Sequence, residues 1–296
     1  MKTLSNNLIG SLIMTSGMLV YVLNDALMKM VGPEIGLFQS IFIRGLIVVS
    51  CFIFFGFLFK FPLFFLPKKF MKLVLARGVI EVLLTCCFMI AIFNMPLANA
   101  IAILQAMPLL ISLIASKANR ENLTNTRLTV IIIGFLGVLI ILQPGREGFN
   151  FYSIYALISV LLLVFRDLIT SKMPKSIHSF QVAFFTAVLV TVTTGIACCF
   201  VEWTPVQLKA QLSLLTAAIL IGMGYLASVT AVRIGEISFS APFRYTSLLW
   251  AIILGALFFS ELPSFQELLG SAIIASCGIF VILSQGHKTM AKGHKY

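Results

Sequence analysis

From Leu8 to Met30 the chain is almost wholly apolar. Nine further stretches of the same kind follow, at about 36–59, 71–93, 96–115, 128–143, 151–171, 180–200, 212–233, 237–259 and 265–284. A helix rises 1.5 Å per residue, so roughly 20 such residues cross the ~30 Å hydrocarbon core of a bilayer. In lipid every backbone polar group must be satisfied within the segment, which favours helices. The links are short and leave no room for a water-soluble domain. The expected fold is therefore an all-α polytopic membrane protein of ten transmembrane helices. Only 10% of the residues are charged and the mean hydropathy is +1.07, whereas a soluble domain carries about 25% charge. The N-terminal run follows a single Lys2 and shows no small-residue cleavage site, so it is expected to be a retained helix.

A net charge of +11 would suggest nucleic acid in a soluble protein. Here the basic residues sort by side. With both termini inside, fourteen of the 21 Lys and Arg fall on inner segments, and three (Lys29, Arg146 and Lys209) on outer ones. The remaining four, Arg44, Arg77, Arg166 and Arg244, lie within spans. This bias is the positive-inside pattern. It predicts a multi-pass protein of the cell inner membrane with both termini cytoplasmic, its partners the lipid bilayer and a small molecule rather than nucleic acid. A monomer or a homodimer is expected. The six cysteines lie in apolar runs without metal-ligand spacing, and His178, His287 and His294 fall in links or the tail. No phosphate-binding loop is present. No catalytic residue, metal or cofactor is expected.

The stretch 96–145 and the stretch 235–285 echo one another. Each begins with a polar-flecked helix, turns through a hydrophilic link and ends in a Gly-punctuated apolar helix. Five spans on each side place the boundary at 1–145 and 146–296 and turn the second half upside down. Transporters often use such inverted repeats, with the binding site near the midplane.

A charge in mid-bilayer costs about 2.5–3.5 kcal/mol on insertion scales, so each requires a partner, a cavity or a function. Asp25 and Arg44 lie at similar depth on adjacent antiparallel spans and are expected within reach of each other. Glu81 is near the midplane of span three, with Arg77 four residues before it on the same helix face. These residues either lock three helices together or line a cavity; the two roles are compatible. Arg166 and Asp167 are neighbours in sequence and are expected to point apart, Arg166 snorkelling to the inner interface and Asp167 facing the cavity. Arg77 is expected to snorkel as well. Span four carries Asn99, Gln105 and Pro108, and span nine carries Pro242, Arg244, Tyr245 and Trp250. Proline interrupts the helix hydrogen-bond ladder, tolerable only beside protein or a wet cavity. Asn99, Gln105, Tyr245 and Trp250 are therefore candidates to line a pocket. Glu261, before Leu262 and Pro263, reads as a solvated loop acid.

Several motifs carry a resemblance: D-A-L-M-K at 25–29, F-x-R at 42–44, A-R-G at 76–78, P-L-A-x-A at 96–100 and G-F-x-G-V-L-I at 134–140. To these add A-P-F-R-Y-T-S-L-L-W-A at 241–251, followed by F-x-E-L-P and L-G-x-x-I-I-x-x-x-G. In this order the chain resembles the drug/metabolite transporter superfamily, in its ten-helix EamA-type branch. That implies two inverted five-helix repeats around a central cavity and secondary transport of a small metabolite without ATP. Similar proteins include riboflavin importers and S-adenosylmethionine transporters, with amino-acid and metallophore exporters in related branches. Arg120-Glu121 departs from the Gly-Glu pair usual at the first elbow. Four Arg against three acids in the spans suit cationic S-adenosylmethionine less than neutral, flat riboflavin, for which aromatics with Asn, Gln and Thr are apt. Riboflavin uptake is the expected activity; S-adenosylmethionine transport or export of amino acids is the alternative.

Overall fold

A computed structural model describes residues 2–60, 68–118, 125–143, 150–171, 173–174, 177–234 and 241–293. The first elbow at Arg120-Glu121 and the boundary at 145/146 lie outside the described residues. The helices are α1 (Lys2–Ile35), α2 (Leu37–Leu58), α3 (Lys68–Asn94), α4 (Leu97–Leu104), α5 (Met107–Ala118), α6 (Asn125–Leu142), α7 (Ser153–Ser171), α8 (Ser179–Cys198) and α9 (Leu208–Ile234). A 3₁₀ turn over Ala241–Tyr245 leads into α10 (Thr246–Phe259), and α11 (Phe265–Gly293) ends the described chain. No strand occurs among these residues. Eight stretches are long and apolar enough to cross a bilayer, and Leu128–Leu142 and Leu208–Gly224 are shorter apolar helices. Together they make the ten-helix, two-repeat layout expected, and the protein is a multi-pass membrane protein.

Among the described residues one crossing is interrupted and another opens irregularly. Span four is broken between α4 and α5, where Pro108 has no N–H to return to Leu104 and the backbone turns through Gln105 and Ala106. Span nine begins as the 3₁₀ turn that contains Pro242. The first span runs longer than the expected 8–30 and reaches Ile35, with Pro33 in its last turn. Gly36 then links α1 to α2 at φ 83°, in the left-handed region that glycine enters without a Cβ penalty.

Side chains such as Phe57, Leu136, Phe165, Leu249 and Leu257 stand exposed on the outside of the bundle. A soluble protein does not display so large an apolar surface, whereas lipid covers it at no cost. Packing is chiefly between halves: α1 lies on α9, α3 on α7, α2 on α8, α6 on α11 and α4 on α10. Advancing every span by five exchanges the first two of these pairs and maps each of the others onto itself. That is the pattern a two-fold relation between the halves produces. α6 and α11 approach so closely that a Cβ on Gly270 would lie 2.7 Å from the carbonyl oxygen of Gly137. Small residues permit this backbone contact between membrane helices.

Candidate functional site

Three polar assemblies lie within this apolar frame. The first joins α1, α2, α3, α7 and α8. Arg44, buried on α2, donates from Nη1 to Asn24 Oδ1 at 3.2 Å, and Asn24 Nδ2 donates to Asp25 Oδ1 at 2.9 Å. Asp25 and Arg44 are thus brought together, but through Asn24: no ion pair within 4 Å joins them among the described residues. Adjacent helices set the two at one depth, and Asn24, between them on α1, meets the guanidinium first. Glu81 lies between two arginines, 3.8 Å from Arg77 Nη2 and 3.4 Å from Arg166 Nη1. Arg44 is in electrostatic range of both Asp25 and Glu81.

Arg166 does not snorkel away from Asp167. It curls back and donates Nε and Nη2 to Asp167 Oδ1 at 3.0 and 2.8 Å. Neighbours on a helix diverge by about 100°, but three methylenes and a planar fork are long enough to close that angle. Arg77 does not snorkel either. It is buried, donating to Thr170 Oγ1 at 3.0 Å and to Thr186 Oγ1 at 2.6 Å, which ties α3 to α7 and α8. Three arginines and three acids therefore form one neutral assembly. The surplus of Arg in the spans reduces to Arg244.

The second assembly joins the two interruptions. Gln105, in the break of span four, donates Nε2 to the carbonyl of Arg244 at 2.9 Å and to Ser247 Oγ at 2.7 Å. Tyr245 returns a bond from its hydroxyl to the Gln105 carbonyl at 3.3 Å. Each segment thus bonds a backbone carbonyl of the other with a side chain. The guanidinium of Arg244, half-buried, makes no hydrogen bond or ion pair with any described residue. Trp250 packs beside Met14 and Met18 of α1, and its indole N–H is buried without a hydrogen-bond partner. Of the four pocket candidates in spans four and nine, Gln105 and Tyr245 thus meet at the break, Trp250 packs against α1, and Asn99 bonds Glu267.

The third assembly closes the end of the bundle where α1 meets α2. Lys29, buried, donates to Glu261 and, at 2.7 Å, to the carbonyl of Met95, with its ammonium 4.9 Å above the Phe259 ring. Glu261 also accepts from Leu97 N at 2.8 Å, a carboxylate at the N-terminus of α4, where the helix dipole favours it. Glu261 is therefore no solvated loop acid. Ser260 adopts φ 55°, and the Glu261 N–H bonds the Gly255 carbonyl, which folds the elbow back over α4. Asn99 bonds Glu267, whose carboxylate also accepts from Ser264 N in a capping box. Gln39 and Thr204 exchange two bonds at the same end. Lys29, four residues after Asp25 inside an apolar run, was the sequence signal for this tie.

A shallow groove on the outer surface of α2, lined by Ser50, Ile53, Phe54, Phe57 and Leu58, carries no charged side chain and faces where lipid lies.

The model of the EamA-like transporter family matches residues 8–143 and again 150–284. An S-adenosylmethionine uptake transporter of Rickettsia bellii (strain RML369-C) is 27% identical over 203 residues, covering 67% of this chain and 67% of its own. A riboflavin transporter of Rhizobium johnstonii is 26% identical, over 78% of this chain and 79% of its own. A pseudopaline exporter of Pseudomonas aeruginosa (strain UCBPP-PA14) is 23% identical, over 71% of this chain and 74% of its own. One solved crystal structure superposes with a TM-score of 0.67 over 95% of this chain and 98% of its own, at 16% identity, a likeness of fold.

Proposed function

The chain belongs to the EamA-like transporter family, and from that premise we propose that it is a secondary transporter of a bacterial inner membrane. It moves a small metabolite by alternating access, with halves 1–145 and 146–296 and both termini in the cytoplasm. The observation that carries this reading is the junction of the break in span four with the 3₁₀ start of span nine, one from each half, held at Gln105 by Tyr245, Ser247 and the Arg244 carbonyl. Discontinuous helices meeting near the midplane are where transporters bind their cargo. The Glu81–Arg166 contact also crosses between halves. Together with Arg77 and Arg166, the residues Asp25, Arg44, Glu81 and Asp167 form a charge-balanced network that can exchange partners as the halves rock.

S-adenosylmethionine uptake is the cargo reading we place first. The neutral groups that favoured riboflavin, Asn99, Gln105 and Tyr245, are engaged in bonds of the fold. The excess of Arg that opposed S-adenosylmethionine is neutralised apart from Arg244. Relatives from Rickettsia carry the S-adenosylmethionine name. Riboflavin uptake is the second reading, favoured by the relative with the broader coverage. The test is uptake of labelled S-adenosylmethionine and labelled riboflavin into a bacterial host that imports neither. Accumulation of the first above the empty host supports the primary reading, accumulation of riboflavin alone the second. Accumulation of neither, with the protein present in the membrane, rejects both.

A further inference from the structure

We propose that Arg244 is the subsite for a carboxylate of the transported molecule. The proposal rests on the transporter reading above and names the substrate class within it.

The charges of the spans set the argument. Asp25, Glu81 and Asp167 answer Arg44, Arg77 and Arg166, and Glu261 answers Lys29. Arg244 is the charge in the spans left without an opposite charge or hydrogen-bond acceptor among the described residues. A partly buried arginine whose guanidinium has no acceptor among the described residues is costly in a membrane unless something fills it. The backbone around it is held in place: Gln105 grips its carbonyl and the hydroxyl of Ser247, which lies three residues on along the buried face of span nine. Tyr245 is held in turn by Gln105, and its hydroxyl fits against Gly278. A cation fixed in this way at the start of α10 adds to the positive end of that helix's dipole. A second unsatisfied donor, the buried indole N–H of Trp250, stands on the same helix.

The occupant that matches is planar, anionic and bidentate. A carboxylate meets an Arg fork with two parallel hydrogen bonds. Sites built to pair a buried charge reject analogues that lack the partner. The substrate class is therefore a small metabolite with a free carboxylate, as an amino acid or a nucleoside-linked amino acid has, rather than a carboxylate-free polyol.

The test is uptake into proteoliposomes of molecules in matched pairs: S-adenosylmethionine with its decarboxylated analogue and methionine with its decarboxylated amine, with riboflavin as a carboxylate-free probe. Wild type is expected to carry a carboxylated member with KM roughly 10- to 100-fold lower than its partner, the range for a lost charge-assisted hydrogen bond. Arg244→Gln is expected to abolish that preference, and Arg244→Lys to restore part of it. Thermal melting of the solubilised variants reports whether each is folded. If Arg244→Gln fails to fold, the wild-type comparison still decides. Riboflavin or a decarboxylated member carried as well as a carboxylated one overturns the carboxylate site while leaving the transporter reading standing. So does a preference unchanged in Arg244→Gln. Uptake of none of these molecules by wild type removes both.

Discussion

The Tyr245 hydroxyl fills the space beside Gly278: a Cβ added there would lie 1.5 Å from the hydroxyl oxygen. The contact joins α11 to the interruption of span nine, and through the bond to Gln105 it reaches span four. Gly278 is therefore less a helix-packing convenience than the seat of the ring that holds the two broken spans together.

Gly278→Ala is expected to displace Tyr245 and lower stability by about 1–3 kcal/mol, the usual cost of overpacking. Tyr245→Phe, which removes one hydrogen bond, should cost only about 0.5–1.5 kcal/mol. Melting in detergent measures both, and Gly278→Ala proving the milder variant would contradict the contact.

Lys29 and Glu261 should behave as one unit. Truncating one member of a buried ion pair costs about 3–5 kcal/mol, reduced here because Glu261 is 23% exposed. Lys29→Met and Glu261→Gln are each expected to destabilise the bundle, and the double variant by clearly less than their sum. Additive losses in a double-mutant cycle would show that the pair is not coupled.

Glu81→Gln leaves Arg77 and Arg166 facing a neutral amide. Transport is expected to fall roughly tenfold or more, as loss of a charge-assisted contact implies, with the protein still reaching the membrane. Because Arg77 keeps Thr170 and Thr186, α3 should stay docked. Initial uptake rates normalised to membrane protein test this, and an unchanged rate would remove Glu81 from the network's function.

Reporter fusions after Lys69 and after Lys288 should both read cytoplasmic. A periplasmic signal at either position would break the orientation inferred from the basic links.

Much of the fold was legible locally. The spans, their number and the interruptions at Pro108 and Pro242 follow from hydropathy and from proline's missing N–H, properties of short stretches of chain. Asp25, Arg44 and Glu81 were legible as a group because helix spacing and depth can be counted along the chain. Their partners were less so. Asn24 intervenes between Asp25 and Arg44, and Arg77 found two threonines on other helices in place of the interface. The elbow acid Glu261 met a lysine 232 residues before it.

Hydropathy along the chain therefore requires a bilayer and ten crossings, with charges that have to be answered. The energetics of placing a residue in lipid act on each segment separately. Which charge answers which is a matter of helix packing, because hydrogen bonds reach about 3 Å and packing chooses the groups within that distance. Arg244 illustrates the difference: its presence was plain in the sequence, and its lack of a partner among the described residues emerged only once Arg44, Arg77, Arg166 and Lys29 had found theirs.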